Sequence, residues 1–251
     1  MLKGLWKLTW LETKIFLREP MGVAGTLGVP IVLFVVLGRI VGAGGGPDRR
    51  GAAALDQAPF SVAILSALLI AISAVTSLVA IIAIYREGGI LKRLRATPLS
   101  PLTILSAHVV VKLVFTVVSL ILLVAAGRQF FPGAMEVPLL SFTAALLLST
   151  LSILSLGFVI ASIVPTARFA QPIGAAVVYP MIVLSGVFFP VAALPRGLRY
   201  VANVLPTTHA VALMQGVWDG AGWGPHLGNV AALVAAFVVC SAVATKVFRW
   251  E

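Results

Sequence analysis

Residues 60–101 read "FSVAILSALLIAISAVTSLVAIIAIYREGGILKRLRATPLSP", a long apolar run that ends in a short basic segment. A helix needs about 20 mostly apolar residues to cross the hydrocarbon of a bilayer, and residues 60–84 meet that length. The cations that follow the run are Arg86, Lys92, Arg93 and Arg95. The stretch therefore predicts a transmembrane helix that leaves the bilayer into a cationic connector.

The whole chain has the composition of a membrane protein. Its 251 residues are 60% hydrophobic and 10% charged, and the mean hydropathy is +1.10. A soluble domain is usually about 45–50% apolar and 25% charged, so bilayer is the expected solvent here. The net charge of +10 is concentrated in short connectors, which indicates membrane orientation rather than nucleic-acid binding. Cys240 is the only cysteine, so an intrachain disulfide is impossible.

Six apolar runs are long enough to span a bilayer. The predicted spans are 21–41, 60–84, 102–126, 138–164, 171–190 and 226–247. Lys112 lies inside the third span, and we expect its long side chain to reach the headgroup region. With the N-terminus in the cytoplasm, that side holds eleven Lys and Arg residues and the other side six, leaving out Lys112. This bias predicts a multi-pass protein of the cell membrane with both termini cytoplasmic.

Two further helical regions are expected beside the spans. On a helical wheel of residues 1–20, Thr9 and Phe16 lie opposite a basic stripe, which predicts an amphipathic interfacial helix; a poorly ordered basic tail is the alternative. Residues 190–225 combine prolines with short apolar runs, which predicts helices that re-enter the outer leaflet. The predicted fold is an all-α integral membrane domain over residues 1–251, with six transmembrane helices.

The residues offer no energy source of their own. No lysine precedes Ser or Thr, so the phosphate-binding loop of ATPases is absent. All eight acids lie outside the predicted spans or at their ends, so proton coupling through a buried carboxylate is not expected. His108, His209 and His226 form no metal-binding motif, and we predict neither a metal site nor catalytic residues. The chain is therefore not expected to be an enzyme.

The connector at 85–101 is predicted to be a rigid cytoplasmic elbow. Gly88-Gly89 allow a turn, and the Thr97-Pro98 bond ends the short helix that follows. Ser100-Pro101 then matches the start of the next helix. Membrane anchoring by positive charge would explain the cations, but not the turn, the short helix and the restart. A segment that receives a push from a cytoplasmic partner explains all of them.

This elbow also resembles a known signature. "YREGGILKRLRATPLSP" (85–101) resembles the coupling segment of type-two ATP-binding-cassette (ABC) export permeases. "LSGVFFPVAALPRGLRYVANVLPTTHAVALMQGVW" (184–218) is similar to that family's fifth span and outer re-entrant region, and the ending "FRW" fits as well. The resemblance implies a partner permease, either a second copy or a paralogue. It also implies two cytoplasmic ATPase subunits that hold ATP and Mg, with no cofactor on this chain.

Carried over by position, the resemblance implies two sets of site residues. The segment that couples to the ATPase comprises Glu87, Gly88, Gly89, Leu91, Lys92, Arg93, Leu94 and Arg95. The outer re-entrant gate comprises Phe188, Pro190, Leu194, Pro195 and Pro206. A third set rests on residue type alone, because aromatic and Met side chains can line an adaptable route for apolar cargo. The residues of this path are Phe115, Phe142, Phe158, Tyr179 and Met181, and packing against helices or lipid is the alternative.

The resulting hypothesis is the membrane half of an ATP-driven exporter. Its cargo is expected to be hydrophobic or amphipathic, because the spans hold few fixed charges. Drug-like or antibiotic compounds are the first choice, which would make it a multidrug efflux permease, and lipid-linked glycans are the second. A membrane-embedded lipid-modifying enzyme and a passive channel or scaffold are the alternatives. Both of these predict activity that needs no ATPase partner.

Overall fold

The computed structural model describes residues 2–18, 20–44, 62–89, 101–131, 138–164 and 166–247. All regular structure in these ranges is helical. The α-helices are α1 Leu2–Leu17, α2 Pro20–Val23, α3 Val29–Gly44, α4 Val62–Glu87, α5 Pro101–Phe130, α6 Leu139–Ile163, α7 Ala167–Leu184, α8 Arg196–Val204, α9 Pro206–Trp218 and α10 Leu227–Val247. A π-helical segment, Ala24–Gly28, joins α2 to α3 without a break.

Within the described ranges, four segments are long and apolar enough to cross a membrane. They are Ile64–Glu87, Ser106–Phe130, Leu139–Ile163 and Gly224–Val247, and they correspond to the second, third, fourth and sixth predicted spans. The regions of the first and fifth predicted spans hold shorter apolar helices, Ala24–Ile40 and Arg168–Leu184. The all-helical prediction is thus confirmed for the described residues, with several membrane-spanning candidates, and the count of six spans stays a prediction.

The core lies between α4 and α6; α9 packs against both helices, and α10 packs against α6 and α9. Gly157 of α6 allows a close approach, because a Cβ there would lie 3.1 Å from Cγ1 of Val75 on α4. Small residues commonly permit such contacts between membrane helices. Ser152 of α6 donates a 2.9 Å hydrogen bond to the carbonyl oxygen of Leu233 on α10. Ser152 therefore contributes to the contact between α6 and α10.

The two ends of the bundle differ in what they carry. α4 ends at Glu87 and α5 begins at Pro101, so the basic connector joins the bundle there; we call this the elbow end. Arg86 donates a 2.6 Å hydrogen bond to the carbonyl oxygen of Val164, which places the end of α6 at the elbow end too. The opposite end, where α7 finishes at Leu184, is the far end.

The region predicted to re-enter the membrane is a helical pair at the far end. In α8, Ala202 is fully buried whereas Val204 is 80% exposed. In contrast, α9 is buried along most of its length among α4, α6, α7 and α10. Thr207 ties the start of α9 to α7, since its hydroxyl donates a 3.1 Å hydrogen bond to the carbonyl oxygen of Met181. An exposed helix therefore leads into a buried one, whose depth in a membrane stays a prediction.

Candidate coupling site at the elbow end

The structure places the beginning of the predicted coupling segment. Glu87 is exposed at the end of α4, and Gly88 and Gly89 follow in a turn. Gly89 has a φ of +66°, a left-handed conformation that favours glycine because it lacks a Cβ. The turn predicted at Gly88-Gly89 is therefore confirmed. The residues of this set that lie outside the described ranges are Leu91, Lys92, Arg93, Leu94 and Arg95.

Beside the elbow, a polar cluster joins α1, α4 and α5. The Tyr85 hydroxyl of α4 donates a 2.8 Å hydrogen bond to Oε1 of Glu12 on α1. The other carboxylate oxygen of Glu12 lies 3.6 Å from Nδ1 of His108 on α5. Lys112, one turn further along α5, holds its ammonium 4.4 Å from the ring centroid of Phe16. We call the set Glu12, Tyr85, His108 and Lys112 the Glu12 junction.

The ionisable residues Glu12, His108 and Lys112 of the Glu12 junction are buried within the chain. The exposed fractions of Glu12, His108 and Lys112 are 6%, 3% and 4%. Burial raises the pKa of the Glu12 carboxyl above its ordinary value, while the Tyr85 hydrogen bond and the Lys112 charge act in the opposite direction. Buried charges in proteins are normally paired, and here the acid and the base come from different helices. The cluster therefore links α1 to α4 and α5 through buried polar contacts.

Apolar contacts surround the same junction. Phe16 of α1 packs on Phe115 of α5, with ring centroids 4.3 Å apart. Val23 and Leu27, from α2 and the π-helical segment, pack against the same small cluster. Position 12 meets position 108 and position 16 meets position 115, so α1 runs along α5 in the same direction. The first helix is thus held by an apolar cluster as well as by charge.

The observed α1 face agrees with the predicted wheel and adds one residue to it. Thr9 and Phe16 are buried as expected, and Trp6 and Trp10 are 73% and 62% exposed. Glu12 was not expected on the buried face, although its spacing from Thr9 and Phe16 places it there. The helical spacing of Glu12 from Thr9 and Phe16 could therefore have predicted its burial, but a charged residue is not normally assigned to a buried face.

The environment of Lys112 differs from the predicted one. The sequence suggests that the side chain reaches a headgroup region, but the structure buries it beneath Phe16 of α1. The physical reason is that α1 covers this stretch of α5, so the ammonium is held by a ring face and by the nearby Glu12 charge. The environment of Lys112 cannot be predicted from its own span, because the helix that covers it lies almost a hundred residues earlier in the sequence.

The predicted gate residues lie at the far end. Phe188 is partly buried against the core and Leu194 is half-buried. Pro190 and Pro195 are exposed, immediately before the 3-10 turn Val191–Ala193 and before α8. Pro206 is buried as the first residue of α9. The set therefore borders α8 and the start of α9, and a gating role stays a prediction.

A second polar cluster joins the helices of the far end. Asn229 of α10 lies between two histidines, with Oδ1 3.0 Å from Nδ1 of His209 and Nδ2 3.2 Å from Nδ1 of His226. The other ring nitrogen of His209 lies 2.9 Å from the carbonyl oxygen of Asn203 on α8. We call Asn203, His209, His226 and Asn229 the far-end junction. Two histidines that are distant in sequence are thus bridged by one amide.

The residues of the predicted substrate path do not converge within one chain. Phe142 is buried in the main core, edge-on to Trp218, and Phe158 packs against that core. Phe115 belongs to the separate cluster with Phe16. Met181 is buried, whereas Tyr179 is 64% exposed.

The described part of the chain also contains a cavity of about 520 Å³ between α5 and α6. Its lining residues are Leu120, Ile121, Val124, Ala125, Arg128, Gln129, Leu139 and Thr143, none of them from the predicted path. In the same described ranges, no group of three or more His, Cys, Asp and Glu side chains is placed to hold a metal ion.

Apolar helices long enough to span a bilayer, together with a basic connector between two of them, define a multi-pass membrane protein. The family model of ABC-2 type transporters matches residues 3–217, which is most of the chain. The chain therefore belongs to the ABC-2 type transporter family, as its elbow motif indicates. It is a membrane permease subunit without an ATPase motif of its own, and the family implies association with ABC ATPase partners. A comparison with curated proteins gave no match.

Proposed function

We propose that this permease is the membrane half of an ATP-driven exporter. Two copies, each with six spans and cytoplasmic termini in the cell membrane, would assemble with two ATPase subunits that hold ATP and Mg. The cargo is a hydrophobic or amphipathic compound, of drug or antibiotic type first and lipid-linked glycan second. ATP-driven closure of the ATPases would push the elbow at 85–101 and tilt the helices attached to it.

One observation carries the proposal most directly. The rings of Tyr85 on α4 and His108 on α5 lie 5.4 Å apart, so the two helices that flank the elbow are in contact close to its base. A force on the basic connector would therefore act on both helices at once. The apolar core of α4 and α6 supports transmission, since close-packed interiors move as units.

The test is reconstitution with the cognate ATPase. We expect the triple change Lys92→Ala, Arg93→Ala and Arg95→Ala to abolish drug-stimulated ATP hydrolysis and transport of a fluorescent hydrophobic drug. The matched control removes three exposed cations of α1 and its end, by Lys7→Ala, Lys14→Ala and Arg18→Ala. It should retain both activities. Because lost positive charge can invert topology, the orientation of each variant is checked by protease accessibility.

The outcomes separate the alternatives. Stimulation of ATP hydrolysis by drugs but not by lipid-linked glycans supports the first cargo class, and the reverse supports the second. Uphill cargo movement or lipid modification by the permease alone would contradict an ATP-driven exporter. Unchanged transport in the elbow variant would show that the cations serve orientation only.

A further inference from the structure

One carboxylate contacts both helices that flank the elbow. Tyr85, which donates to Glu12 at 2.8 Å, lies two residues before the end of α4. His108, 3.6 Å from the same carboxylate, lies two turns inside α5. Glu12 itself is in the middle of α1, a helix that belongs to neither side of the connector. It therefore bridges three elements at the base of the elbow.

We propose that Glu12 is a positioning residue for energy coupling. It makes α1 a third member of the unit that moves with the elbow, so displacement of α4 and α5 carries α1 with it. The inference rests on the proposed function, because it requires force to enter at the elbow. Along the chain α1 is followed by α2, the π-helical segment and α3, so the movement would reach a helix outside the elbow.

Glu12 fixes the orientation of α1 relative to α4 and α5, and it is not needed merely to attach α1 to α5. Phe16 and Phe115 already hold α1 on α5 by apolar contact, with centroids 4.3 Å apart. A buried acid adds little net stability, because its desolvation offsets the attraction of its partners, and buried ion pairs can often be replaced by apolar residues without loss. Directional contacts from Tyr85 and His108 differ from apolar contacts, because they fix the position of one carboxylate against two helices.

The route from the junction to α3 is also packed. Phe16, Val23 and Leu27 share the apolar cluster with Val111 and Phe115 of α5. The residues that follow α1 are therefore in contact with the same helix that Glu12 binds. Movement of α5 would be felt at α1 and at the π-helical segment together, and close packing limits the slip between them.

The experiment uses the permease with its cognate ATPase in nanodiscs and needs no identified cargo. The reference protein carries Cys240→Ser and Val204→Cys, because Val204 of α8 is 80% exposed at the far end. Its rate of labelling by a maleimide is compared without nucleotide and after trapping with ATP and vanadate. The nucleotide-dependent change in this rate reports whether force applied at the ATPase reaches the far end.

We expect Glu12→Gln to preserve assembly and continued ATP hydrolysis but to reduce the nucleotide-dependent change. A loss of about fivefold or more would match ordinary coupling energies between distant sites. Tyr85→Phe, which deletes a single hydroxyl, is the second variant and should show a smaller loss. Lys14→Gln, an exposed charge on the same helix, is the control and should behave as the reference. A residue that only stabilised the fold would lower hydrolysis and labelling change together.

A responsive reference with an equally responsive Glu12→Gln protein would overturn this inference alone. Should Glu12→Gln fail to assemble, an unaltered response of Tyr85→Phe would overturn it in the same way. A reference protein without any response to nucleotide would overturn the proposed function, and the inference with it.

Discussion

The two polar junctions of the molecule are built from different chemistry. At the elbow end, Glu12 and Lys112 are charged groups that are 6% and 4% exposed. At the far end, His209, Asn229 and His226 interact through an amide and are only partly buried. The first junction joins helices by buried charge, and the second joins them by hydrogen bonds that lie near the surface.

The difference bears on how easily each end can rearrange. Water can replace a partly exposed hydrogen bond, so opening one costs little net free energy. A buried charge has no such substitute, and separating it from its partner leaves an unpaired ion. In a permease driven from the elbow, a rigid drive end and a more adaptable far end are what transmission requires. The contrast thus agrees with force entry at the elbow, next to the Glu12 junction.

The largest effect is expected from Lys112→Leu. This change removes the cation that favours the Glu12 carboxylate, so the free energy of unfolding should fall, by at most the roughly 3–5 kcal/mol of a broken buried ion pair. The double variant with Glu12→Leu and Lys112→Leu removes both charges and should recover most of the loss. Thermal unfolding in detergent measures all three proteins, with Lys14→Leu as the control on the exposed face of α1.

A double variant that is less stable than Lys112→Leu would contradict this account of the elbow end. It would show that Glu12 is stabilised by Tyr85 and His108 alone, and that Lys112 is held by the Phe16 ring. The two ends of the bundle would then differ in how deeply their polar groups are buried, and not in whether those groups form an ion pair.

A smaller effect is expected from Asn229→Leu at the far end. The change removes the amide between His209 and His226, and each neutral hydrogen bond is worth about 0.5–1.5 kcal/mol. Since solvent reaches both rings, the loss should be well below that of Lys112→Leu. Gln215→Leu, an exposed amide on α9, is the control, and hydrogen exchange of α8 and α9 gives a local readout. Equal losses of unfolding free energy from Asn229→Leu and Lys112→Leu would contradict the proposed difference between the two junctions.

Sequence predicts the helices of this molecule better than its junctions. Apolar length and prolines indicate the main helices, and Ser100-Pro101 predicts the start of α5 at Pro101. Glu12 and Tyr85 are 73 residues apart, and no local pattern pairs them. A short apolar run such as 209–218 fits a buried or an interfacial helix equally well, so only the fold places α9. Long-range contacts, and not local propensity, decide both junctions.

Two adjacent hydroxyls lie where α9 meets α7. Thr207 donates to the carbonyl oxygen of Met181 at 3.1 Å, whereas Thr208 lies 3.4 Å from that of Leu184. Valine has the same shape as threonine, so Thr207→Val should lower the unfolding free energy by about 1 kcal/mol. Thr208→Val is the matched control and should lower it less, because the longer contact is weaker. A larger loss from Thr208→Val than from Thr207→Val would contradict the assignment of the stronger hydrogen bond to Thr207.

The smallest effect is the pH dependence that Glu12 contributes. Burial raises the pKa of the Glu12 carboxyl in the folded chain above its ordinary value of 4.5, so the folded state takes up a proton at higher pH than the unfolded state. Stability from this group is therefore fully present below pH 4.5 and is lost as the pH rises through the raised pKa. The melting temperature of the parent protein relative to Glu12→Gln should increase as the pH falls from about 8 towards about 5.

The groups that face Glu12 decide how this measurement is controlled. Tyr85, His108 and Lys112 all lie beside the carboxylate, and the His108 contact is the one that is an ion pair only if the imidazole is protonated. The comparison is therefore repeated in a His108→Gln background, where the trend should persist with the same sign. If the parent protein instead loses stability relative to Glu12→Gln on acidification, attraction by the cations outweighs desolvation. The Glu12 junction would then stabilise the fold as an ordinary ion pair. It would differ from the far-end junction only in how much it contributes to the free energy of unfolding.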